Sequence, residues 1–165
     1  REGSKVVVHH QPPPWAEVDD HVRELMEWLE QVKLKPSPAQ IARGVEDPWV
    51  HPVIVAGIAQ HRFVWIHPFV DGNGRTARML TTLLLFQRGY DFKYLFNLSN
   101  YYNQNRDQYY EALRVSDRTG DDTAWLEYFC GGLALQMYQV RQKAKKVAEA
   151  GDTDQVPASA PPTDR

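Results

Sequence analysis

From Pro52 to Ile66 the chain is apolar almost all the way round a helix, and no other stretch constrains the fold as much. Its only polar side chains are Gln60, His61 and Arg62, so it has no broad face for water. Such a helix runs through the centre of a domain with other helices packed around it. Pro68 stops it just after His67.

The flanking sequence supplies the partners. Trp15, Val18, Val22, Leu25, Met26 and Leu29 have helical spacing, which predicts an amphipathic helix to about Glu30. A second helix starts at Asn73 or Gly74, carries Met79, Leu80, Leu83, Leu84 and Phe86 as its core face, and stops at Gly89. Ser99 or Asn100 caps a third, running to about Ser116 with Tyr102, Tyr109, Tyr110 and Leu113 along it. Asp122 or Thr123 caps the last one. Trp125, Leu126, Phe129, Leu133, Leu135, Met137 and Val140 face inward there, and Lys143, Lys145 and Lys146 near its end suit the negative pole of the dipole.

Non-helical signals are few. Val6-Val7-Val8 after a Gly-Ser turn reads as a strand, half of a hairpin, and Pro12-Pro13-Pro14 as a stiff connector. Pro38 to Asp47 reads as a short helix or a loop, Tyr90 to Asn97 as an aromatic-rich connector, and Gly151 to Arg165 as linker or disordered tail. No strands alternate with the helices, which argues against a doubly wound nucleotide fold, and the expected class is all-α with a small β-hairpin. The expected division is one domain over residues 1–147, with the hairpin at about 1–13, and a tail over 148–165.

Composition sets limits on function. With 42% hydrophobic residues the chain can bury a core. A net charge of −2, from 19 basic and 21 acidic residues, argues against a general nucleic-acid binder. Any phosphate recognition must therefore be local. The single cysteine, Cys130, permits no internal disulfide and reads as a small buried residue in a reducing cytosol, which points to a cytoplasmic protein. No apolar run approaches the roughly 18 residues of a membrane span, and no signal peptide opens the chain. Arg1 in place of an initiator Met reads as the start of a fragment.

The chemistry concentrates between His67 and Arg78. Gly72-Asn73-Gly74 opens a helix, whose first N–H groups lack intrahelical acceptors and whose dipole is positive at that end. Glycines there let an anion approach the backbone, so the turn is a phosphate cradle. Arg75 adds a bidentate donor, and Arg78 shares its helix face, which suits a ligand with more than one phosphate. Asp71 alone would repel such a ligand. A Mg²⁺ between carboxylate and phosphates removes the conflict, so Asp71 reads as a metal ligand. His67, ending the preceding helix, reads as a general base, and Asn73 as a donor to a phosphate oxygen. Each residue alone also fits a plain interhelical turn; the combination favours anion chemistry. His61 and His67 are six apart and do not share a helix face, so a histidine-only metal site is not expected.

The string His67-Pro68-Phe69-Val70-Asp71-Gly72-Asn73-Gly74-Arg75-Thr76-Ala77-Arg78 resembles the signature of the Fic (Fic/Doc) family at every specified position. The resemblance extends upstream to Ala59-Gln60-His61-Arg62-Phe63, downstream to Leu98-Ser99-Asn100-Tyr101 and Asn105-Arg106 with Tyr109-Tyr110, and to Arg1 with Gly3, Val6 and Pro12-Pro13 as the end of a flap. It implies a helical bundle with a β-hairpin flap that transfers AMP from ATP to a Ser, Thr or Tyr hydroxyl of a protein, with Mg²⁺ as cofactor. On this sequence it makes His67 the base and Asp71 the metal ligand. Gly72, Asn73, Gly74 and Arg75 would bind the α- and β-phosphates, and Arg78 the γ-phosphate. Phe69 would anchor the loop in the core; Tyr109, Tyr110 and Asn105 would lie by the base, Tyr109 being equally readable as helix core. Val6 to His10 would pair with the target backbone by strand addition. The family's inhibitory Ser/Thr-x-x-x-Glu-Gly/Asn string is missing from this sequence, so any inhibitory segment or partner would be one not in this chain, and Arg78 is expected to be available. Two alternatives stay open: a transferase of the same fold using another nucleotide or phosphate donor, against whose kinase form Gly74 argues, and a non-catalytic nucleotide sensor.

Overall fold

A computed structural model of the chain describes residues 11–32, 50–88, 90 and 98–152. The expected strand at Val6 to His10, the Pro38 to Asp47 segment, the Gly89 stop, nearly all of the aromatic connector and the end of the tail lie outside the described residues. Every element among the described residues is helical.

Helix α1 spans Val18–Gln31, after a 3-10 turn over Trp15–Glu17 that Pro14 initiates. Asp19 and Asp20 in its first turn complement the dipole. Leu25 is its buried residue, with Val18, Val22, Trp28 and Leu29 half-buried around it. Trp15 and Met26, expected inside, are exposed. Trp15 precedes the first α-helical turn, and Met26 is rotated about 100° from Leu25, off the stripe.

Helix α2 spans Pro52–Ile66, with Pro52 at its start and the His51 Nδ1 accepting from the Val53 N–H at 3.2 Å. It packs on α1, on α3 (Asn73–Phe86) and on the last helix, α6 (Thr123–Asp152). The close approach to α6 needs Gly57: a Cβ there would lie 2.8 Å from Leu126 and 2.9 Å from Phe129. The Trp125 Nε1–H donates to the Gly57 carbonyl at 2.7 Å across the same crossing. Gln60 is fully buried and fully engaged: it accepts from the Thr81 hydroxyl at 2.8 Å, and its amide donates to the Tyr102 hydroxyl at 2.9 Å. Unpaired buried polar groups are costly, so this network fixes the rotation of α2 against its neighbours.

On α3 the buried residues are Asn73, Ala77, Thr81 and Leu85, with Leu80 and Leu84 packed beside them. Met79, Leu83 and Phe86, expected in the core, are exposed. The core stripe takes its phase from the i, i+4 series through Thr81, which a polar residue hides from pattern reading.

The single helix expected over Ser99 to Ser116 is two: α4 over Leu98–Gln104 and α5 over Arg106–Thr119. The break is at Asn105, whose backbone is non-helical (φ −123°, ψ 43°) and whose side-chain amide donates to the Tyr101 carbonyl at 3.0 Å. Asparagine competes for backbone groups in this way and so ends helices. Helix α6 buries Trp125, Phe129, Leu133 and Gln136, while Leu135 and Met137 are exposed, contrary to expectation. Asp122 takes the expected N-cap position, its carbonyl accepting from the Leu126 N–H at 2.8 Å, while the side chain that accepts from the Thr123 N–H, at 2.8 Å, is that of Asp121. The helix runs past the expected domain edge at residue 147 to Asp152, so Lys143, Lys145 and Lys146 precede its last turn. Cys130 is half-buried. No helix among the described residues is long and apolar enough to cross a membrane.

Candidate active site

The link between α2 and α3 is built by three residue choices. His67 ends α2 in a left-handed conformation (φ 52°, ψ 53°), the one non-glycine at positive φ among the described residues, and its N–H donates to the Phe63 carbonyl at 3.1 Å. Non-glycine residues in this region store about 1–3 kcal/mol and cluster at functional sites. Gly72, at φ 92°, begins α3 in a conformation a side chain would strain. Asn73 clamps the loop between them: its side-chain oxygen accepts from the Phe69 N–H at 2.9 Å, and its amide donates to the Phe69 carbonyl. The loop is therefore anchored through Asn73, not through Phe69. The Phe69 ring is 49% exposed, 6.1 Å from the Phe63 ring at the edge of the core. The Asn73 amide is thus committed to the loop backbone.

The first backbone bond of α3 runs from the Thr76 N–H to the Gly72 carbonyl. The N–H groups of Asn73, Gly74 and Arg75 therefore precede any intrahelical acceptor and form an anion cradle. Gly74 leaves space that Arg78 uses: a Cβ there would be 3.2 Å from the Arg78 guanidinium. Asp71 accepts from the Gly72 N–H at 2.7 Å and pairs with Arg75 at 2.8 Å, with both side chains well exposed. An exposed pair of this kind is weak, so Asp71 can exchange Arg75 for another cation. The described residues hold no cluster of three or more metal-ligating side chains. A single carboxylate beside an anion cradle suits Mg²⁺, which takes one or two carboxylates and completes its shell with phosphate oxygens and water.

His67 points its Nδ1 at the Val64 carbonyl, 3.2 Å away. A carbonyl only accepts, so Nδ1 carries the proton and the neutral ring has its lone pair on Nε2.

Beside the loop lies a cavity of about 420 Å³. His67, Gly74 and Arg78 line it from one side, Ser99, Tyr102 and Asn103 from α4, and Arg106, Tyr109 and Tyr110 from α5. His61, one and two-thirds turns of α2 from His67 or about 9 Å along the axis, lines it too, as does Asp117 of α5. Of the residues singled out in the sequence, His67, Gly74, Arg78, Tyr109 and Tyr110 thus share one cavity. Asp71, Gly72, Asn73 and Arg75 form the adjoining loop and helix start. Asn105 lies in the α4–α5 break, bonded to Tyr101. Tyr109 is a core residue with one edge on the cavity: it stacks on Tyr102 at 4.7 Å, and burial pushes its hydroxyl up to about 12. The sequence reading gave no site role to Arg106 or Asp117. A signal was present, since Arg106, Tyr109, Tyr110, Leu113 and Asp117 follow i, i+3, i+4, i+7, i+11 spacing and lie on one face of α5.

His61 is buried between two carboxylates. Its Nδ1 is 2.6 Å from Asp122 and its Nε2 3.1 Å from Asp117. Burial lowers its pKa, but the hydrogen bonds and charges of Asp117 and Asp122 outweigh it and hold the ring above its ordinary value. The bridge ties the middle of α2 to both sides of the α5–α6 turn.

Comparison with known proteins agrees with this geometry. Residues 1–85 match the Fic/DOC family. The chain is 37% identical over 91 residues to a protein adenylyltransferase Fic of Drosophila mojavensis, covering 54% of this chain and 17% of that protein. It is 42% identical over 78 residues to a Fido domain-containing protein of Dictyostelium discoideum, covering 46% of this chain and 50% of the other. The crystal structure of a Fic family protein from Desulfovibrio desulfuricans G20 superposes with a TM-score of 0.62 at 29% identity, over 96% of this chain and 40% of that one. The chain spans half or less of the length of these relatives.

Proposed function

The chain belongs to the Fic/DOC family, and from that premise we propose that it is a protein adenylyltransferase, moving AMP from ATP to a Ser, Thr or Tyr hydroxyl of a target protein or of itself. The observation that carries the reading is the placement of His67, with its lone pair on Nε2, on the same cavity as the start of α3 and Arg78. Nε2 takes the proton of the target hydroxyl as its oxygen attacks the α-phosphorus. An oxygen–phosphorus bond to the target forms, the bond to the β-phosphate oxygen breaks, and pyrophosphate leaves.

The N–H groups of Asn73, Gly74 and Arg75 hold the α- and β-phosphates, and Gly72 gives the turn that presents them. Arg78 reaches the γ-phosphate; no described carboxylate pairs with it, which supports its availability. Tyr109 and Tyr110 flank the base, with Asn105 behind them holding the α4–α5 break. Mg²⁺, when bound, would be held by Asp71 and the phosphate oxygens and would neutralise charge on those phosphates.

The test is incubation with labelled ATP and Mg²⁺, alone and with lysate, followed by mass analysis. An AMP-sized increment that disappears in His67→Ala supports the reading. A phosphate-sized increment favours the phosphate-transferring alternative. Tight ATP binding with no transfer to any protein favours the sensor, and labelling that survives His67→Ala removes His67 as the base.

A further inference from the structure

Arg106 is the second arginine of the cavity, and nothing above gives it a task. It opens α5, where the helix dipole is positive and disfavours a cation. Arg23, Arg75 and Arg114 each pair with a carboxylate. Arg106 makes no ion pair among the described residues; its guanidinium lies 5.7 Å from the Tyr110 ring centroid instead. A cation–π contact fixes the direction of a guanidinium without cancelling its charge.

Arg78, on a different wall of the same cavity, also has no carboxylate partner among the described residues. The one carboxylate among the described residues that line the cavity, Asp117, is already bonded to the ring of His61. Arg78 and Arg106, from two walls, therefore present positive charge that no carboxylate among the described residues pairs with, facing a cavity of about 420 Å³. The cradle at the start of α3 offers three N–H groups from one side only. The terminal phosphates of a nucleoside triphosphate carry more oxygens than that cradle serves, and their charge grows as the leaving group departs.

We propose that Arg106 is a phosphate-binding residue of the donor site: from the α5 wall it clamps, together with Arg78, the terminal phosphates of a nucleoside triphosphate. This rests on the nucleotide-transfer reading for the class of ligand. It makes the α5 wall a counter of phosphates, and it gives the pyrophosphate a held place as it leaves.

The test is binding, which needs no transfer. The full chain is titrated with ATP and with AMP in the presence of Mg²⁺, as wild type, Arg106→Met and Arg106→Lys. Met keeps the apolar contact with Tyr110 and removes the charge; Lys keeps the charge. Arg106→Met is expected to weaken ATP binding about ten- to a hundred-fold while AMP binding stays within about two-fold, and Arg106→Lys to recover part of the loss. Equal losses for ATP and AMP overturn the proposal, because the residue then serves the nucleoside half or the fold. Unchanged ATP binding with a raised KM for the protein target overturns it also. If Arg106→Met melts at a lower temperature, Arg106→Gln is used and the ATP-to-AMP ratio is read in the same way. A wild-type chain that binds ATP but transfers nothing sinks the transfer reading while the ratio still judges the clamp; a chain that binds no ATP sinks the clamp.

Discussion

Two histidines on α2, six residues apart, have been given opposite environments. His61 is buried, and each of its nitrogens faces a carboxylate. His67 is exposed at the helix end, its backbone in a left-handed conformation and one nitrogen turned to a carbonyl. The first has its charged form favoured by the two carboxylates it bonds, and it cross-links three elements. The second has its tautomer chosen for it and its lone pair directed by a carbonyl. The same side chain is thus set up as a buried cross-link in one place and, on the proposed function, as a base in the other, according to what its two nitrogens meet.

The largest effect that separates them is on rate. His67→Ala is expected to lower transfer by about 10²- to 10⁴-fold, the range of a general base, while the urea midpoint moves little. A large midpoint shift would make His67 a structural residue and erase the contrast. His61→Ala should do the reverse. It leaves Asp117 and Asp122 facing a cavity without their cation, at an expected cost of about 2–4 kcal/mol; this is below the ~3–5 kcal/mol of a fully buried pair because both carboxylates keep some water. Chemical denaturation of the purified variant measures it.

A smaller effect sharpens the comparison at His67 itself. His67→Gly relieves the left-handed backbone, so it should be more stable than His67→Ala by about 1 kcal/mol, yet equally inactive. Equal melting temperatures for the two variants would show that the backbone there is not strained. The smallest effect is on pH. The folded value of His61 is raised above the unfolded one, so its contribution is complete below the unfolded value near 6.5 and is lost as pH rises through the folded value. Wild type should lose stability as pH rises above about 6.5 relative to His61→Gln, whose profile should be flatter over the same window. Parallel profiles would remove the charged cross-link.

The centre of this fold was readable from sequence where the signal was local. A continuous apolar run bounded by Pro52 and Pro68 gave α2 to the residue, and Gly72-Asn73-Gly74 gave the start of α3. The loop motif marked His67 as a candidate base, but nothing local marked the role of His61. The partners of His61 lie 56 and 61 positions downstream, and those of Gln60 21 and 42. No periodicity reports such distances. The inward face of α3 was misread for the same reason: Thr81 is buried with its hydroxyl between the Gln60 amide oxygen and the Ala77 carbonyl, and with Thr81 inside, Met79 and Leu83 lie outside the expected core. At the site, glycine and arginine spacing exposed the cradle. On the α5 wall, Tyr109 and Tyr110 were singled out by sequence, whereas Arg106 and Asp117 were passed over, although they lie on the same helix face.

The Asn73 clamp also governs how the protein ages. An asparagine followed by glycine is the sequence most prone to deamidation, because the nitrogen of the next residue can attack the side-chain carbonyl when no Cβ stands in the way. In the folded chain the Asn73 carboxamide is tied at both ends to Phe69, and Gly74 is held in helix, so the attacking geometry is withheld. Unfolding releases both. A preparation that unfolds and refolds repeatedly would accumulate isoaspartate and aspartate at this position, where a carboxylate cannot donate to the Phe69 carbonyl, and the loop would lose its shape one chemical event at a time.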